Sequence, residues 1–373
     1  MLFLITAFFS SLLVILLIIR YRHVHEHLSG DHDLSGPQKF HQESVPRIGG
    51  LGIYLALWFT NLISYLKDPL LGVFLSLILI AALPVSGTGL MEDLTKRISV
   101  KIRLIAGFIS GILLVCLFTI TSIRIDIWGL DILFLNIWIA GIFLCIACSG
   151  LANAYNIIDG FNGLASMVGI ISTTAITFVA FKVGDFSIIY AALILIGSLL
   201  GFFIWNYPRG LIFLGDGGAY LIGFMIAALS ILLVHRNPGV SPWFALLVNA
   251  YPIFETLFTI WRRWIHQGKS PGLPDGVHFH SLIYRRVLRW AYAKDRQSAN
   301  AQVPYYRYID NAKTSPYLWF ISSIGAIPAL LFWKSTPLLI MSCIIFITIY
   351  IYCYRTIVKR RRPWWLGRPP RNR

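Results

Sequence analysis

Eleven stretches of at least eighteen residues contain no Asp, Glu, Lys or Arg, and nothing else in the sequence constrains the fold as strongly. Each stretch can cross a bilayer core as a helix, because about 20 residues rising about 1.5 Å each span about 30 Å. The stretches are 1–19, 48–66, 69–91, 104–123, 132–158, 160–181, 186–208, 217–235, 237–254, 314–333 and 335–354. Charged residues make up only 13% of the chain, about half the usual share in soluble domains. The sequence therefore predicts an all-α polytopic membrane protein with about eleven transmembrane helices.

One of these stretches, 237–254, departs from the pattern of the others. It opens with Asn-Pro-Gly and contains Asn249 and Pro252. Proline removes a backbone donor and clashes with the preceding helical turn. We therefore expect the helix in this stretch to be short or kinked.

The basic residues are concentrated in every second connection between these spans. One set of connections holds 27 of the 32 Lys and Arg residues, and cytoplasmic loops are the ones that retain such residues. This asymmetry predicts an N-terminus outside and a C-terminus in the cytoplasm. It gives one transmembrane domain over 1–354 with cytoplasmic active-site loops, followed by a basic cytoplasmic tail over 355–373. Anionic lipid headgroups account for the tail's charge, so no nucleic-acid partner is expected.

Acidic residues are scarce, and five of them lie at the predicted cytoplasmic ends of spans three to nine. They are Glu92, Asp93, Asp159, Asp216 and Glu255. The adjacent pair Glu92 and Asp93 is followed by four cations, so it could bind a divalent ion, share a proton or form ordinary ion pairs. The recurrence of acids on one face favours a functional role, since such residues are costly at membrane depth.

The segment from Asn153 to Ala165 is polar and rich in glycine, although it lies between two apolar runs. Its Asp-Gly and Asn-Gly pairs are common turn dipeptides, so an ordinary helix-capping turn is one interpretation. A functional loop is the other, because unpaired polar groups at membrane depth cost several kcal/mol each.

Candidate phosphate-binding groups lie on both sides of this segment. Arg47 precedes two glycines, which allow a backbone to approach a phosphate closely. His278 and His280 lie near arginines such as Arg285, and this combination suits a diphosphate. The surrounding carboxylates favour a hard ion such as Mg²⁺ over zinc, and Asp216 in its Gly-Asp-Gly-Gly turn is the first candidate ligand.

Five motifs then occur in a fixed order among the spans. They are Pro-Arg-x-Gly-Gly, Gly-Leu-x-x-Asp-Leu, Asn-Ala-x-Asn-x-x-Asp-Gly-x-x-Gly-Leu-Ala, Asn-x-Pro with Phe-x-Gly-Asp-x-Gly, and Pro-Asp-x-x-His-x-His. Together they resemble the polyprenyl-phosphate N-acetylhexosamine-1-phosphate transferases, of the glycosyltransferase family 4 type. That family includes the UDP-GlcNAc:undecaprenyl-phosphate transferases and the phospho-MurNAc-pentapeptide transferases. The resemblance covers about Arg47 to Arg286.

The resemblance implies a reaction and a set of partners. It implies Mg²⁺-dependent transfer, with Mn²⁺ as a substitute ion, of a sugar 1-phosphate from a UDP-N-acetylhexosamine to undecaprenyl phosphate. UMP is released at the cytoplasmic face of the bacterial inner membrane, where the lipid bilayer is itself a partner. A homodimer is compatible with this assignment.

The resemblance also implies roles for individual residues. Asn156 joins Asp216 as a metal ligand, and Asp93, supported by Glu92, positions or deprotonates the lipid phosphate. Asp159 completes the catalytic set and orients uridine or sugar. The expected substrate-binding residues are Arg47, Asn153, Asn162, His278, His280 and Arg285.

Three positions depart from the family pattern: Glu92 where Asp is usual, Asn162 where many members have Asp, and Ser281 at the end of the histidine run. A catalytically inactive scaffold therefore stays open as an alternative. An ion-coupled transporter is another, although transporters place acids near the midplane and show inverted repeats.

The donor sugar can also be predicted. Transferases that use the pentapeptide-bearing donor carry three histidines where this chain has His-Phe-His-Ser, so we expect a smaller UDP-N-acetylhexosamine. The loop over 268–312 would contact that sugar. The product would be the first lipid intermediate of a surface glycan such as the O-antigen of lipopolysaccharide.

The orientation can be tested with a reporter that is active only outside the cytoplasm. Fused after Arg373 it should be silent, and fused near Gly184 it should be active, because the basic connections stay in the cytoplasm. The reverse pattern would contradict the assignment of sides.

Overall fold

The computed structural model describes residues 1–24, 30, 45–266, 268, 278–288 and 303–359, with side chains left aside at 266, 286–288 and 303–310. Most of the predicted donor-binding loop over 268–312 and most of the basic tail over 355–373 lie outside these residues. Within them every element of two or more residues is helical, and an isolated bridge joins Gly30 to Pro46.

The described residues form a bundle made mainly of long helices. We number the α-helices α1 (Leu2–Arg20), α2 (Gly49–Lys67), α3 (Pro69–Thr95), α4 (Val100–Leu117), α5 (Ile137–Ile158), α6 (Leu164–Val183), α7 (Phe186–Asn206), α8 (Gly215–Arg236), α9 (Pro242–Val248), α10 (Ala250–Trp261), α11 (Phe279–Leu282), α12 (Val303–Phe332) and α13 (Thr336–Val358). Two π-helical turns, Arg262–His266 and Ile283–Leu288, follow α10 and α11.

The number of spans agrees with the sequence-based expectation. Within the described residues, ten helices are long and apolar enough to cross a membrane, and a bent pair of helices makes eleven when it is counted as one span. The protein is therefore an all-α, multi-pass membrane protein. The side on which each terminus lies stays a prediction.

The bent pair is the stretch for which a kink was expected, and it turns by 75° between Pro242–Val248 and Ala250–Ile265. Pro252 has no N–H to donate to the carbonyl of Val248 four residues earlier. That carbonyl instead accepts a hydrogen bond of 3.1 Å from the Ser172 hydroxyl on α6. The bend is thus stabilised from a neighbouring helix.

The predicted limits of this span, 237–254, were wrong at both ends. The helix starts only at Pro242. It continues beyond Glu255, the residue at which the charge-free stretch ends. Glu255 is 1% exposed and has hydrogen-bond partners on other elements, so its charge does not end the helix.

Three helix ends meet at backbone contact, and glycine makes this meeting possible. A Cβ added to Gly50 at the start of α2 would lie 2.2 Å from the Gly218 Cα on α8. A Cβ added to Gly89 near the end of α3 would lie 2.6 Å from the Gly217 Cα. Small residues are the usual means of close helix approach in membranes. The contacts bring the start of α2, the end of α3 and the start of α8 together at one end of the bundle.

Two glycines of α3 offer a matched test of this contact. Gly89→Ala should lower the melting temperature in detergent, because overpacking typically costs about 1–3 kcal/mol and exceeds the gain in helix propensity. Gly87→Ala is the control, since no atom lies within 4 Å of its added Cβ. It should leave the melting temperature unchanged or raise it. Equal effects of the two variants would contradict the backbone contact.

Candidate active site

The Asp93 carboxylate at the end of α3 binds the first backbone amides of α8. One oxygen accepts from the Asp216 N–H at 2.8 Å and the other from the Gly217 N–H at 2.9 Å. The first amides of a helix have no partner within it, and a negative charge there is favoured by the helix dipole. Asp93 is therefore an N-terminal cap supplied by a different helix.

Glycine is required at the junction between these segments. Gly215 has a φ of 76°, and a Cβ there would lie 1.9 Å from the Arg47 carbonyl oxygen and 2.5 Å from Asp93 Oδ2. The two segments also pair through backbone bonds, including one of 2.8 Å from the Gly50 N–H to the Leu214 carbonyl. The Pro-Arg-x-Gly-Gly and Phe-x-Gly-Asp-x-Gly motifs thus pack directly against each other at one junction.

At this junction Asp216 is surrounded by positively charged and hydrogen-bonding groups. The Arg103 guanidinium forms an ion pair with Asp216 Oδ2, and Arg47 lies 3.7 Å from Oδ1. The Asn156 amide donates to Oδ1 at 3.0 Å. Arg47 is also 4.0 Å from Asp93, so two guanidinium groups and two carboxylates share one small volume.

The segment after α5 is held firmly by other parts of the chain. The Gly163 N–H donates to Asn206 Oδ1 at 2.6 Å, and the Asn162 N–H donates to Asn311 Oδ1 at 3.0 Å. The Asn162 side-chain amide donates to the Pro208 carbonyl at 3.1 Å. Asn162, predicted to orient the substrate, is thus placed in the scaffold of this loop, and its amide N–H group is directed at the protein backbone.

Asp159 occupies the start of the same loop, next to Arg47. Burial raises the pKa of the Asp159 carboxyl to about 7, and the Arg47 guanidinium opposes this rise. A carboxyl with such a pKa exchanges a proton readily near neutral pH. Asp159 is in this respect chemically suited to an active site.

His278 and His280 stack on one another, with ring centroids 5.2 Å apart and an angle of 14° between the rings. Glu255 of α10 holds the first of them, because its Oε1 lies 3.0 Å from His278 Nδ1. The second packs edge-on against Phe161 and lies over Gly160, where a Cβ would come within 2.9 Å of His280 Nε2. The histidine segment therefore closes onto the loop that follows α5.

A cavity of about 1370 Å³ begins at this cluster and extends along the bundle. Its polar end is formed by Arg103, Asn153, Asn156, Asp216, Tyr220 and His278. Its walls are otherwise mainly aliphatic and aromatic, and α8 lines it from Asp216 to His235. These two residues are separated by about 28 Å of helix at about 1.5 Å per residue. The cavity is thus nearly as long as a hydrocarbon core is thick.

The predicted site residues differ in how they relate to this cavity. Asn153, Asn156, Asp216 and His278 line it. Arg47, Asp159 and His280 do not line it, although Arg47 lies beside the lining residue Asp216 and His280 stacks on the lining residue His278. Arg285 is exposed on the π-helical turn after α11 and is not a lining residue.

Asp93 and Glu92 both bind backbone N–H groups, and their roles toward the lipid phosphate stay a prediction. Asp93 is 3% exposed, does not line the cavity, and accepts a backbone N–H at each of its two oxygens. Glu92 accepts from the Ile98 N–H at 2.6 Å and thereby closes the turn after α3. Their placement supports positioning roles for both residues.

Three residues with evident roles in the site were absent from the predicted set. Arg103 is the last cation before an apolar stretch, and this position could have indicated that it lies at the membrane boundary. Glu255 was noted as an acid but given no role. Tyr350 lies on α13 and donates to Glu255 Oε2 at 2.5 Å. No local signal in the sequence distinguishes it from other aromatic residues of an apolar helix.

The donors around Asp216 fit a hard divalent ion. Among the described residues no group of three or more His, Cys, Asp or Glu side chains could hold a metal. One carboxylate and one amide oxygen, from Asp216 and Asn156, are nevertheless the kind of sparse protein ligation that Mg²⁺ uses when substrate phosphates and water complete its shell.

The profile of the family described as "Glycosyl transferase family 4" matches residues 75–234, which run from α3 to the end of α8 and include Asp93, Asn156 and Asp216. Over this segment the chain is similar to glycosyl transferase family 4. The matched segment contains most of the polar end of the cavity, so the family's common part coincides with the candidate site.

Two relatives match well beyond that segment. A "Probable undecaprenyl-phosphate N-acetylglucosaminyl 1-phosphate transferase" of Bacillus subtilis is 29% identical over 75% of this chain and 76% of its own length. An "Undecaprenyl-phosphate alpha-N-acetylglucosaminyl 1-phosphate transferase" of Thermotoga maritima is 28% identical over 69% and 74%. A "Phospho-N-acetylmuramoyl-pentapeptide-transferase" of Streptococcus agalactiae is 33% identical, but over only 44% of this chain and 46% of its own length.

The placement of Asp93 leads to a test of its role. Asp93→Asn should lower stability by about 1–3 kcal/mol, because an amide nitrogen cannot accept the second backbone hydrogen bond. Turnover should fall together with the melting temperature in detergent, since Asp216 loses its support. A variant with wild-type stability and no turnover would instead indicate that Asp93 acts directly on substrate.

Asp68→Asn provides the matched control. Asp68 also caps a helix, accepting from the Leu70 and Leu71 N–H groups at the start of α3, but it is exposed. Asn caps helices about as well as Asp at such positions. This variant should change the melting temperature and turnover little.

Proposed function

We propose that the protein transfers an N-acetylhexosamine 1-phosphate from a UDP-sugar to undecaprenyl phosphate and releases UMP. The observation that carries this proposal is the cavity, in which a charged end adjoins an apolar body that extends along the bundle. A polyprenyl phosphate has the same division into a charged group and a long hydrocarbon chain. The names of the Bacillus subtilis and Thermotoga maritima relatives support the same reaction.

The polar end of the cavity provides the charges that such a reaction needs. Phosphoryl transfer depends mainly on positioning and on compensating negative charge. Arg103 and Arg47 place two guanidinium groups beside Asp216, and guanidinium groups match phosphate geometry well. His278 also lines the cavity and would contact a phosphate as well.

The reaction requires little from a general base. An oxygen of the lipid phosphate forms a bond to the sugar-linked phosphorus of the donor, and the bond from that phosphorus to the oxygen of UMP breaks. The lipid phosphate is largely ionised near pH 7 because its second pKa is about 6. The use of Asp93 as a helix cap is therefore compatible with efficient transfer.

Asp216 and Asn156 would hold a magnesium ion, for which manganese could substitute. Such an ion supplies charge neutralisation for the diphosphate and for the departing UMP. The two guanidinium groups and the amides at the start of α8 are the chain's own contribution to the same task. Asp159, next to Arg47, would help to orient the donor.

The donor is best described as UDP-GlcNAc or a related UDP-N-acetylhexosamine. The two GlcNAc-type relatives match 75% and 69% of the chain, whereas the pentapeptide transferases of Streptococcus agalactiae and Streptococcus pneumoniae match 44% and 58% of it. We further propose that the active site faces the cytoplasm at a bacterial inner membrane, and that the product begins a surface glycan such as an O-antigen.

The decisive experiment is an assay of radiolabel transfer to undecaprenyl phosphate by the purified protein in detergent. UDP-GlcNAc, UDP-GalNAc, a UDP-6-deoxy-N-acetylhexosamine and UDP-MurNAc-pentapeptide are compared side by side, each with and without EDTA. We expect transfer from at least one of the smaller donors and its loss with EDTA. Efficient use of the pentapeptide donor alone would contradict the proposal, and transfer unaffected by EDTA would contradict the metal requirement.

Asp216→Asn is the matched variant for this assay, because it preserves side-chain shape and removes the charge. Turnover should fall by more than about tenfold, or about 1.4 kcal/mol of barrier, while the protein stays folded. A smaller loss would remove Asp216 from the set of metal ligands.

A further inference from the structure

Glu255 is buried within the protein, and described groups on other elements satisfy its carboxylate. Its Oε1 lies 3.0 Å from His278 Nδ1 and accepts from the Phe279 N–H at 3.1 Å, while Oε2 accepts from the Tyr350 hydroxyl at 2.5 Å. A buried carboxylate is stable only when its oxygens are bound in this way. Three hydrogen-bond partners around one buried charge indicate that the charge has a function.

The residue that Glu255 holds is one that faces the cavity. His278 is a lining residue, whereas Glu255 and Tyr350 are not. Because Nδ1 is taken up by Glu255, the ring nitrogen left to serve the cavity is Nε2. Stacking against His280 at 5.2 Å also fixes the plane of the ring. The hydrogen bond to Glu255 and the stacking on His280 together fix the orientation of the imidazole ring.

We infer that Glu255, supported by Tyr350, is a positioning residue that orients His278 so that its Nε2–H group binds a phosphate of a substrate in the cavity. The inference rests on the proposed function, since it concerns the phosphates that this reaction brings to the site. The phosphate belongs to either the nucleotide-sugar or the lipid, and the two are distinguished below by experiment.

The carboxylate acts on the far side of the ring through the proton on Nδ1. With a proton on each ring nitrogen, His278 donates a hydrogen bond from Nδ1 to the Glu255 carboxylate and can donate a second one from Nε2 to an anion. Replacing the carboxylate by an amide removes this effect. With Gln at position 255, a neutral ring that donates from Nδ1 presents a lone pair to the phosphate.

Tyr350 links the last transmembrane helix to this arrangement. Its ring packs against Phe254 at 5.6 Å and Phe258 at 5.7 Å, both on the helix that carries Glu255. The hydroxyl is therefore presented to Glu255 by a fixed ring. Removing it leaves the charge of Glu255 in place but frees one oxygen, so a smaller effect is expected than for Glu255→Gln.

Steady-state kinetics of Glu255→Gln and Tyr350→Phe test the inference. Glu255→Gln should lower kcat/KM by about 10–100-fold, the usual range for residues that orient a functional histidine. Tyr350→Phe should lower it by about threefold to tenfold, as expected for loss of one hydrogen bond. The KM values for UDP-GlcNAc and for undecaprenyl phosphate are measured separately, and the one that rises identifies the substrate that supplies the phosphate.

Tyr251→Phe is the matched control. Tyr251 is buried one helical turn before Glu255, and its hydroxyl has no hydrogen-bond partner among the described residues. Its removal should leave both KM values and kcat unchanged. An effect as large as that of Tyr350→Phe would overturn the inference, because it would show that any loss of a hydroxyl in this region matters.

A double-mutant cycle separates positioning from a general structural role. In a His278→Asn background, Glu255→Gln and Tyr350→Phe should cause little further loss, because their effect passes through His278. Full additivity would overturn the inference. If Glu255→Gln does not fold, the Tyr350→Phe cycle gives the same answer.

Binding of UDP-GlcNAc and of a short polyprenyl phosphate is measured by calorimetry in parallel, each without the other substrate. An inactive wild-type protein would contradict the proposed function, while weaker binding to Glu255→Gln than to wild type would still support the positioning of His278. An active wild-type protein with unchanged kinetics and binding in both variants would overturn the positioning alone.

Discussion

The contact between the Asp93 carboxylate and the first amides of α8 is the interaction on which the site depends. It joins the end of one membrane helix to the start of another, and it fixes Asp216 in the same step because Asp216 supplies one of the amides. The backbone contacts at Gly50 and Gly89 allow the helices to come close enough for it. Arg47 and Arg103 then compensate the negative charge that is gathered there.

Much of the fold could be predicted because the hydrocarbon core imposes a simple length rule on each span. The rule failed where a charge was satisfied inside the protein: Glu255 did not end its helix, because His278 and Tyr350 bind it. The kink expected from Asn249 and Pro252 is present, since the lack of a proline N–H is a local property that the sequence displays directly. Local chemistry was thus predictable, while partners distant in sequence were not.

The site shows the same limit. Motif spacing identified the residues that gather at one end of the bundle, but it could not tell which of them face the cavity. Asp216 and Asp93 are both acids of shared motifs, yet one lines the cavity and the other caps a helix. Asn162 is likewise a motif residue, and its hydrogen bonds stabilise the loop that follows α5. The three-dimensional arrangement therefore distinguishes residues that line the cavity from residues that support the lining residues. A sequence motif contains both kinds and does not distinguish them.

The pair of guanidinium groups beside Asp216 has a thermodynamic consequence. Arg47 and Arg103 both lie beside Asp216, so an anion that binds between them would interact favourably with two positive charges. Ligand binding and folding are linked, so a ligand at 100 times its Kd adds about 2.7 kcal/mol to stability. Because α2, α3 and α8 meet at this point, that stabilisation is distributed over three helices. Binding of a phosphate at this site would therefore be coupled to the rigidity of the bundle end that holds it.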